Sequence, residues 1–163
     1  MKYRKEKDTS LLCNDRKRTV RTEEEDTDWD PDEGGEKAMK NLLILGAGGH
    51  GRVVAETARA MRDTEGNPVY DKIDFLDDLK PGAVGKINDL PVFKKEYQDA
   101  FPAVGVYQKR LELYSRAKRF GFTVPVLIHP EAYVSPSATI GEGTVILPKA
   151  VVHTEATIGK VCI

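Results

Sequence analysis

Residues 128–163 divide into six hexapeptides, which read IHPEAY, VSPSAT, IGEGTV, ILPKAV, VHTEAT and IGKVCI. A period of six residues indicates an internal repeat. The apolar pattern of an ordinary strand repeats about every two residues and that of a helix about every 3.6 residues. The first place is always a β-branched aliphatic residue (Ile128, Val134, Ile140, Ile146, Val152, Ile158). The fifth place is always small (Ala132, Ala138, Thr144, Ala150, Ala156, Cys162).

A left-handed parallel β-helix with a triangular cross-section explains this period. Each flat side takes about six residues and three such sides close a coil, so the aliphatic residues stack inside and the small residues fit near the corners. Glycine and proline fall where such corners turn (Gly141, Gly143, Gly159, Pro136, Pro148). We therefore predict that residues 127–163 form the first coils of such a β-helix.

Residues 39–126 have the alternating pattern of an α/β domain. The apolar run Leu42–Leu45 predicts a strand buried on both faces. Further strands are predicted at Lys72–Leu76 and Ala103–Val106, and helices at Arg52–Met61, Lys94–Ala100 and Lys109–Phe120, the last ended by Gly121. The fold class predicted is α/β, with a small Rossmann-like parallel domain preceding the β-helix.

Residues 1–38 contain 21 charged residues, and the charges from Glu23 to Glu36 are all acidic. Such a stretch buries too little apolar surface to offset its ordering entropy, which predicts a disordered extension. An electrostatic docking tail is the alternative interpretation.

The composition argues against several classes of protein. A formal net charge of −1 gives no general attraction to nucleic acid or to an acidic membrane. Cys13 and Cys162 lie at opposite ends of the chain without metal-ligand neighbours, so we expect no metal site, no disulfide framework and a cytoplasmic location. No signal sequence or membrane-spanning run is present, so we expect no membrane partner.

A glycine-rich turn, GAGGHG, follows the first predicted strand. It satisfies G-x-G-x-x-G through Gly46, Gly48 and Gly51. Glycines allow a tight turn and a close backbone approach, and the helix N-terminus beyond offers free N–H groups to a phosphate. The motif indicates a diphosphate ligand; a tight strand-to-helix turn without a ligand is the alternative.

An NAD-binding fragment fits less well. The dinucleotide fingerprint expects an acid about 20 residues beyond the loop, and the candidates Asp74, Asp77 and Asp78 come somewhat late. The α/β segment also continues directly into the repeats, which leaves no room for the rest of a dehydrogenase.

Four motifs in order resemble the sialic-acid O-acetyltransferase and UDP-4-amino-sugar N-acetyltransferase family. They are GAGGHGRVVAE, FLDD at Phe75–Asp78, the pair Gly105 and Arg110, and the hexapeptides from Ile128. The resemblance runs from about Met39 to the last residue. It implies a domain at 39–126 that binds a nucleotide sugar, and a β-helix that forms a homotrimer and holds acetyl-CoA, the cosubstrate, between neighbouring subunits.

The same resemblance implies particular binding residues. The glycine loop (Gly46, Gly48, Gly49, His50, Gly51) would meet the nucleotide sugar, with Asp77 and Asp78 beside the uracil or ribose. Gly105 and Arg110 match a further loop of the site, although Val106 and Tyr107 replace the polar pair usual there. We expect His129 to be a hydrogen-bonded corner residue and His153 to face solvent at a turn, so no catalytic residue is assigned.

In this family a histidine acts as the general base that deprotonates the acceptor amine or hydroxyl, and by alignment it would lie about ten residues beyond Ile163. We therefore expect a truncated chain that binds a nucleotide-activated amino sugar or a sialic acid but does not acetylate it alone. A non-catalytic nucleotide-sugar-binding module, or an inactive gene remnant, is the alternative of a different class.

Overall fold

The computed structural model describes residues 40–163, so the extension predicted at 1–38 lies outside the described residues. The first part is a three-stranded parallel sheet in the order β2-β1-β3. Its strands are β1 (Lys40–Leu45), β2 (Tyr70–Leu76) and β3 (Asp99–Pro102). Helix α1 (Gly49–Ala60) follows β1 and helix α2 (Tyr107–Arg119) follows β3. The predicted parallel α/β arrangement is confirmed.

Strand β1 is buried on both faces, as LLIL predicts. Leu42 and Ile44 pack in a cluster with the apolar face of α1, whereas Leu43 and Leu45 pack in a second cluster with α2. Successive side chains of a strand point to opposite faces, so one apolar run can serve two cores. Each fully buried leucine stabilises the fold by about 2 kcal/mol.

Two predicted elements are wrong in position. The helix expected at Lys94–Ala100 is a 3-10 helix at Ile87–Lys95, and the strand expected at Ala103–Val106 is β3 at Asp99–Pro102. Pro91 lies inside the 3-10 helix, where its missing N–H disfavours α-helical hydrogen bonding. The strand β3 is at the sheet edge, where Pro102 is tolerated at its last position. Gly121, with φ of 77°, follows α2 as expected.

The hexapeptide segment, residues 127–163, contains six two-residue strands. They are β4 (Leu127–Ile128), β5 (Tyr133–Val134), β6 (Thr139–Ile140), β7 (Val145–Ile146), β8 (Val151–Val152) and β9 (Thr157–Ile158). Each of the first three pairs in parallel with a strand 18 residues further on, as Leu127 does with Val145. The first-place aliphatic residues and the small alanines share one apolar cluster.

The hexapeptide segment is packed against the α/β part. Leu127 and Val145 belong to the apolar cluster that also contains Leu42, Ile44 and the buried face of α1. Among residues 40–163, no helix is long and apolar enough to cross a membrane.

Candidate functional site

The first glycine of the loop after β1 is required by its backbone. Gly46 has φ of 117°, and a Cβ there would lie 2.9 Å from the carbonyl oxygen of Ala103. Its N–H donates to the carbonyl oxygen of Leu76 at 2.8 Å. Glycine adopts this conformation without steric cost. Gly46 therefore follows β1, bonds to the carboxyl end of β2 and has no room for a side chain next to Ala103, which follows β3.

The last glycine of the motif allows α1 to approach the loop. A Cβ on Gly51 would lie only 1.9 Å from the carbonyl oxygen of Gly46. Gly48 and Gly49, by contrast, have no atom within 4 Å of the position of an added Cβ. The two outer glycines are therefore needed for packing, whereas the two central ones leave open space next to the backbone.

That open space lies at the N-terminus of α1. Gly48 is the N-cap residue, makes no side-chain cap, and no acidic residue occupies the first turn. The first N–H groups of a helix have no intrahelical partner and carry partial positive charge, which favours an anion. His50 is exposed at the same point. The arrangement has the features of a phosphate-binding loop.

The two acids of FLDD are engaged with the backbone. Asp77 accepts the N–H of Ala47 at 2.8 Å through Oδ2, and the N–H groups of Leu79 and Lys80 at 2.8 and 2.9 Å through Oδ1. Burial alone would raise the pKa of the Asp77 carboxyl, but these three donors and the charge of Lys80 outweigh it and hold the pKa below its ordinary value.

Asp77 thus ties the glycine loop to the turn after β2. Asp78 Oδ1 accepts one N–H, that of Ile87, at 3.0 Å. Both acids follow the carboxyl end of β2, and Asp77 contacts the glycine loop. The expected contact with a base or ribose stays a prediction.

The loop after β3 reaches the glycine loop from the other side. A Cβ on Gly105 would lie 3.3 Å from Cε1 of His50, so the two predicted site residues are direct neighbours. Val106 and Tyr107, which follow Gly105, are exposed. The loops after β1 and β3 therefore adjoin each other, at the place where the strand order changes direction. Open α/β sheets bind ligands at such switch points.

Arg110 is placed differently from the other candidates. It is only 8% exposed, and its guanidinium donates to three backbone carbonyl oxygens. Nη1 reaches Val104 and Gly105, at 2.7 and 3.2 Å, and Nε reaches Val161, at 2.6 Å. Its expected contact with the ligand stays a prediction. The bond to Val161 spans 51 residues of sequence, and no local pattern indicated it.

The remaining histidines behave as expected. Nδ1 of His129 accepts a hydrogen bond from the N–H of Glu131 at 3.1 Å. The backbone carbonyl oxygen of His129 accepts one from the N–H of Ala132, so His129 stabilises a corner. His153 is exposed next to the inward Val152. Over residues 40–163, no group of three or more His, Cys, Asp or Glu side chains is arranged to hold a metal ion.

Residues 41–117 match a known family, which is described as the PglD N-terminal domain. A curated relative is the UDP-N-acetylbacillosamine N-acetyltransferase of Bacillus subtilis (strain 168), which is 38% identical over 112 residues. That match covers 67% of this chain and 52% of the relative, so the chain spans about half the length of the relative.

Solved structures that are similar to this chain are also acetyltransferases. The acetyltransferase domain of PglB from Neisseria gonorrhoeae FA1090, in complex with acetyl coenzyme A, matches with a TM-score of 0.67 and 40% identity, over 75% of this chain and 60% of that chain. PerB from Caulobacter crescentus, in complex with CoA and GDP-perosamine, matches with a TM-score of 0.63 and 30% identity, over 76% and 60%.

These matches confirm the resemblance inferred from the four motifs. They also confirm acetyl-CoA as the cosubstrate of the related enzymes, since the two solved neighbours hold acetyl coenzyme A or CoA.

Proposed function

This chain is a relative of the PglD-type sugar acetyltransferases, and from that relationship we propose that residues 39–126 bind a nucleotide-activated amino sugar or a sialic acid nucleotide. The observation that carries the proposal is the open backbone of Gly48 and Gly49 at the uncapped start of α1. The oxygens of a diphosphate there would accept hydrogen bonds from N–H groups that have no intrahelical partner. The solved complex of PerB holds GDP-perosamine, a ligand of this class.

The neighbouring loops would then hold the rest of the ligand. His50 is exposed beside the open glycines and adjoins Gly105, so its ring is a candidate donor to the sugar or to a phosphate oxygen. Asp77 and Asp78 lie on the other side of the glycine loop, where we propose that the base or ribose is bound.

We further propose that the hexapeptide segment is the beginning of a left-handed parallel β-helix. Parallel pairing at an interval of 18 residues and the stacked first-place aliphatic residues support this. We propose that such a β-helix forms a trimer and binds acetyl-CoA between subunits, as the family resemblance implies.

The reaction proposed is acetyl transfer to an amine or a hydroxyl of the sugar. The acceptor attacks the thioester carbonyl, a general base takes the proton released, and CoA leaves as the thiol. None of the three histidines, all of which lie in the described residues, hydrogen-bonds to a carboxylate that would orient it as such a base. The second candidate function is a nucleotide-sugar-binding module, which needs only the open backbone of Gly48 and Gly49 beside the exposed His50.

Thermal melting of the full chain with four separate ligands tests the binding proposal. UDP, GDP, a UDP-4-amino sugar and NAD are compared at equal concentrations. A ligand that binds only the folded state raises both the free energy of unfolding and Tm. At a ligand concentration of 100 times Kd, the free energy of unfolding rises by about 2.7 kcal/mol. We expect a shift with a nucleotide sugar and none with NAD; the reverse pattern would overturn the proposal. Release of CoA from acetyl-CoA with a 4-amino sugar nucleotide would eliminate the module interpretation.

A further inference from the structure

Arg110 connects the candidate ligand site to the hexapeptide segment. It lies in the first turns of α2, immediately after the loop that holds Gly105. One side of its guanidinium bonds to the carbonyl oxygens of Val104 and Gly105, and Nε bonds to the carbonyl oxygen of Val161. A charged donor buried among carbonyl oxygens makes stronger hydrogen bonds than a neutral one.

On the site side, these bonds fix the position of the loop after β3. Gly105 has little free space on its Cα, since a Cβ would come within 3.3 Å of Cε1 of His50. A shift of the Gly105 backbone toward the glycine loop would therefore displace the His50 ring. Arg110 therefore holds the backbone at the position where Gly105 adjoins His50.

On the other side, Arg110 bonds to a corner in an unfavourable conformation. Val161 is fully buried and has φ of 54°, a left-handed conformation that is an outlier for a β-branched residue. Its N–H donates to the carbonyl oxygen of Glu142, and its own carbonyl oxygen accepts from Arg110. These two hydrogen bonds offset the cost of the conformation, which is about 1–2 kcal/mol.

Helix α2 contacts the same corner a second time. Glu142 accepts a hydrogen bond from Tyr114 and forms an ion pair with Lys118, both on α2. The helix that begins at the ligand loop is therefore attached to the Glu142–Val161 corner at two points along its length.

We infer that Arg110 is a positioning residue: it aligns the loop at Gly105 against His50 in the proposed nucleotide-sugar site and ties that loop to the Val161 corner, without contacting the ligand. The inference rests on the proposed function. It also assigns the family's loop arginine a role different from direct binding, because three of the five N–H groups of this guanidinium already donate to carbonyl oxygens of the protein and the residue is only 8% exposed.

The test uses Arg110→Met and Arg110→Lys in the full chain, with Lys109→Met as the matched control on the same helix. Lys109 is exposed and forms an ion pair with Glu112, one turn further along α2. Kd for UDP, GDP and a UDP-4-amino sugar is measured by calorimetry well below the melting temperature. Backbone amide spectra of the ligand-free proteins are recorded in parallel.

We expect Arg110→Met to weaken binding about tenfold, a typical coupling between linked sites, and Arg110→Lys to weaken it less. The amides of Gly105, His50 and Cys162 should shift in the ligand-free variants, and Lys109→Met should change neither Kd nor these amides. If Arg110→Met does not fold, Arg110→Lys carries the test.

Two results would overturn the inference. A lowered Tm with unchanged Kd would make Arg110 merely structural. Weakened binding with unshifted amides at Gly105, His50 and Cys162 would make it a direct ligand contact. A wild-type chain that binds none of the three probes would instead overturn the proposed function, and the inference with it.

Discussion

A Cβ atom on Gly51 would lie 1.9 Å from the carbonyl oxygen of Gly46, the tightest approach of any glycine in the described chain. The obstacle is backbone at the carboxyl ends of the sheet, so it cannot move aside as a flexible side chain would. Gly51 therefore determines how closely α1 approaches the sheet, and with it where the N–H groups of the site are placed.

Gly51→Ala should destabilise the protein by about 3 kcal/mol or more, the upper range for overpacking a core. Urea denaturation measures the free energy of unfolding. Gly49→Ala is the matched control, because no atom lies within 4 Å of its Cβ position and stability should hardly change. Equal effects of the two substitutions would contradict the distinction between packing and open glycines.

Asp77→Asn should lower the free energy of unfolding at neutral pH by about 1 kcal/mol, since an amide cannot accept all three N–H donors and the site is partly screened by solvent. The pKa of Asp77 is depressed in the folded state. Its contribution is therefore present above the ordinary carboxyl pKa and lost as pH falls through the folded pKa.

The difference in the free energy of unfolding between wild type and Asp77→Asn should accordingly become smaller as the pH is lowered. Asp78→Asn, which removes a carboxylate with one N–H partner, should cost less. A difference that stays constant down to low pH would argue against the ionised Asp77 as the loop's acceptor.

Asp99→Asn should raise stability at neutral pH. Asp99 is buried, accepts the hydroxyl of Tyr70 at 3.0 Å through Oδ2, and has no partner for Oδ1. Burial raises the pKa of this carboxyl, against the opposing charges of Lys40 and Lys94. A raised folded pKa means that stability is lost as pH rises through it, so the advantage of the neutral amide should grow from about pH 4 to about pH 7.

Chemical denaturation across that pH range gives the measurement for Asp99→Asn. The amide oxygen still accepts the Tyr70 hydroxyl, so the variant keeps the hydrogen bond that Tyr70→Phe would remove. If Asp99→Asn is more stable than wild type by the same amount at both ends of the pH range, ionisation of the Asp99 carboxyl does not destabilise the folded protein.

Glu155→Gly should stabilise the protein by about 0.5–1 kcal/mol, although glycine loses more chain entropy on folding. Glu155 is exposed and has φ of 59°, like Lys149 at 64° and Gly143 at 70°. All three occupy the fourth place of their hexapeptides. Glu155→Ala keeps the unfavourable conformation, so thermal melting should show no such gain for it; a gain with alanine would point to the charge instead.

Local sequence predicted those parts of the fold that depend on short periods. The hexapeptides indicated the inward stack, and LLIL indicated the central strand. The position of β3 was missed because Pro102 divides the apolar run, and only the pairing with β1 shows that Asp99–Pro102 is the part in the sheet. Such pairing depends on contacts distant in sequence.

Only the part of the candidate site that depends on local sequence could be predicted. GAGGHG indicated the tight turn after β1, because turn chemistry is local, but α1 begins at Gly49 and not at Arg52 as predicted. The roles of Asp77 and Arg110 were harder to predict, since their partners lie 30 and 51 residues away at Ala47 and Val161. A residue type in a motif does not reveal whether its polar atoms are already bonded within the protein.

The interval of 18 residues between paired strands limits how the length of this segment can change. In the β-helix proposed for this segment, duplicating one complete turn, such as residues 128–145, would return every aliphatic residue to the inner stack one level higher. Inserting a single residue would rotate all later side chains out of alignment. Growth of this segment during evolution, or by engineering, should therefore occur in whole turns, with shorter insertions confined to loops that bulge outward at the corners.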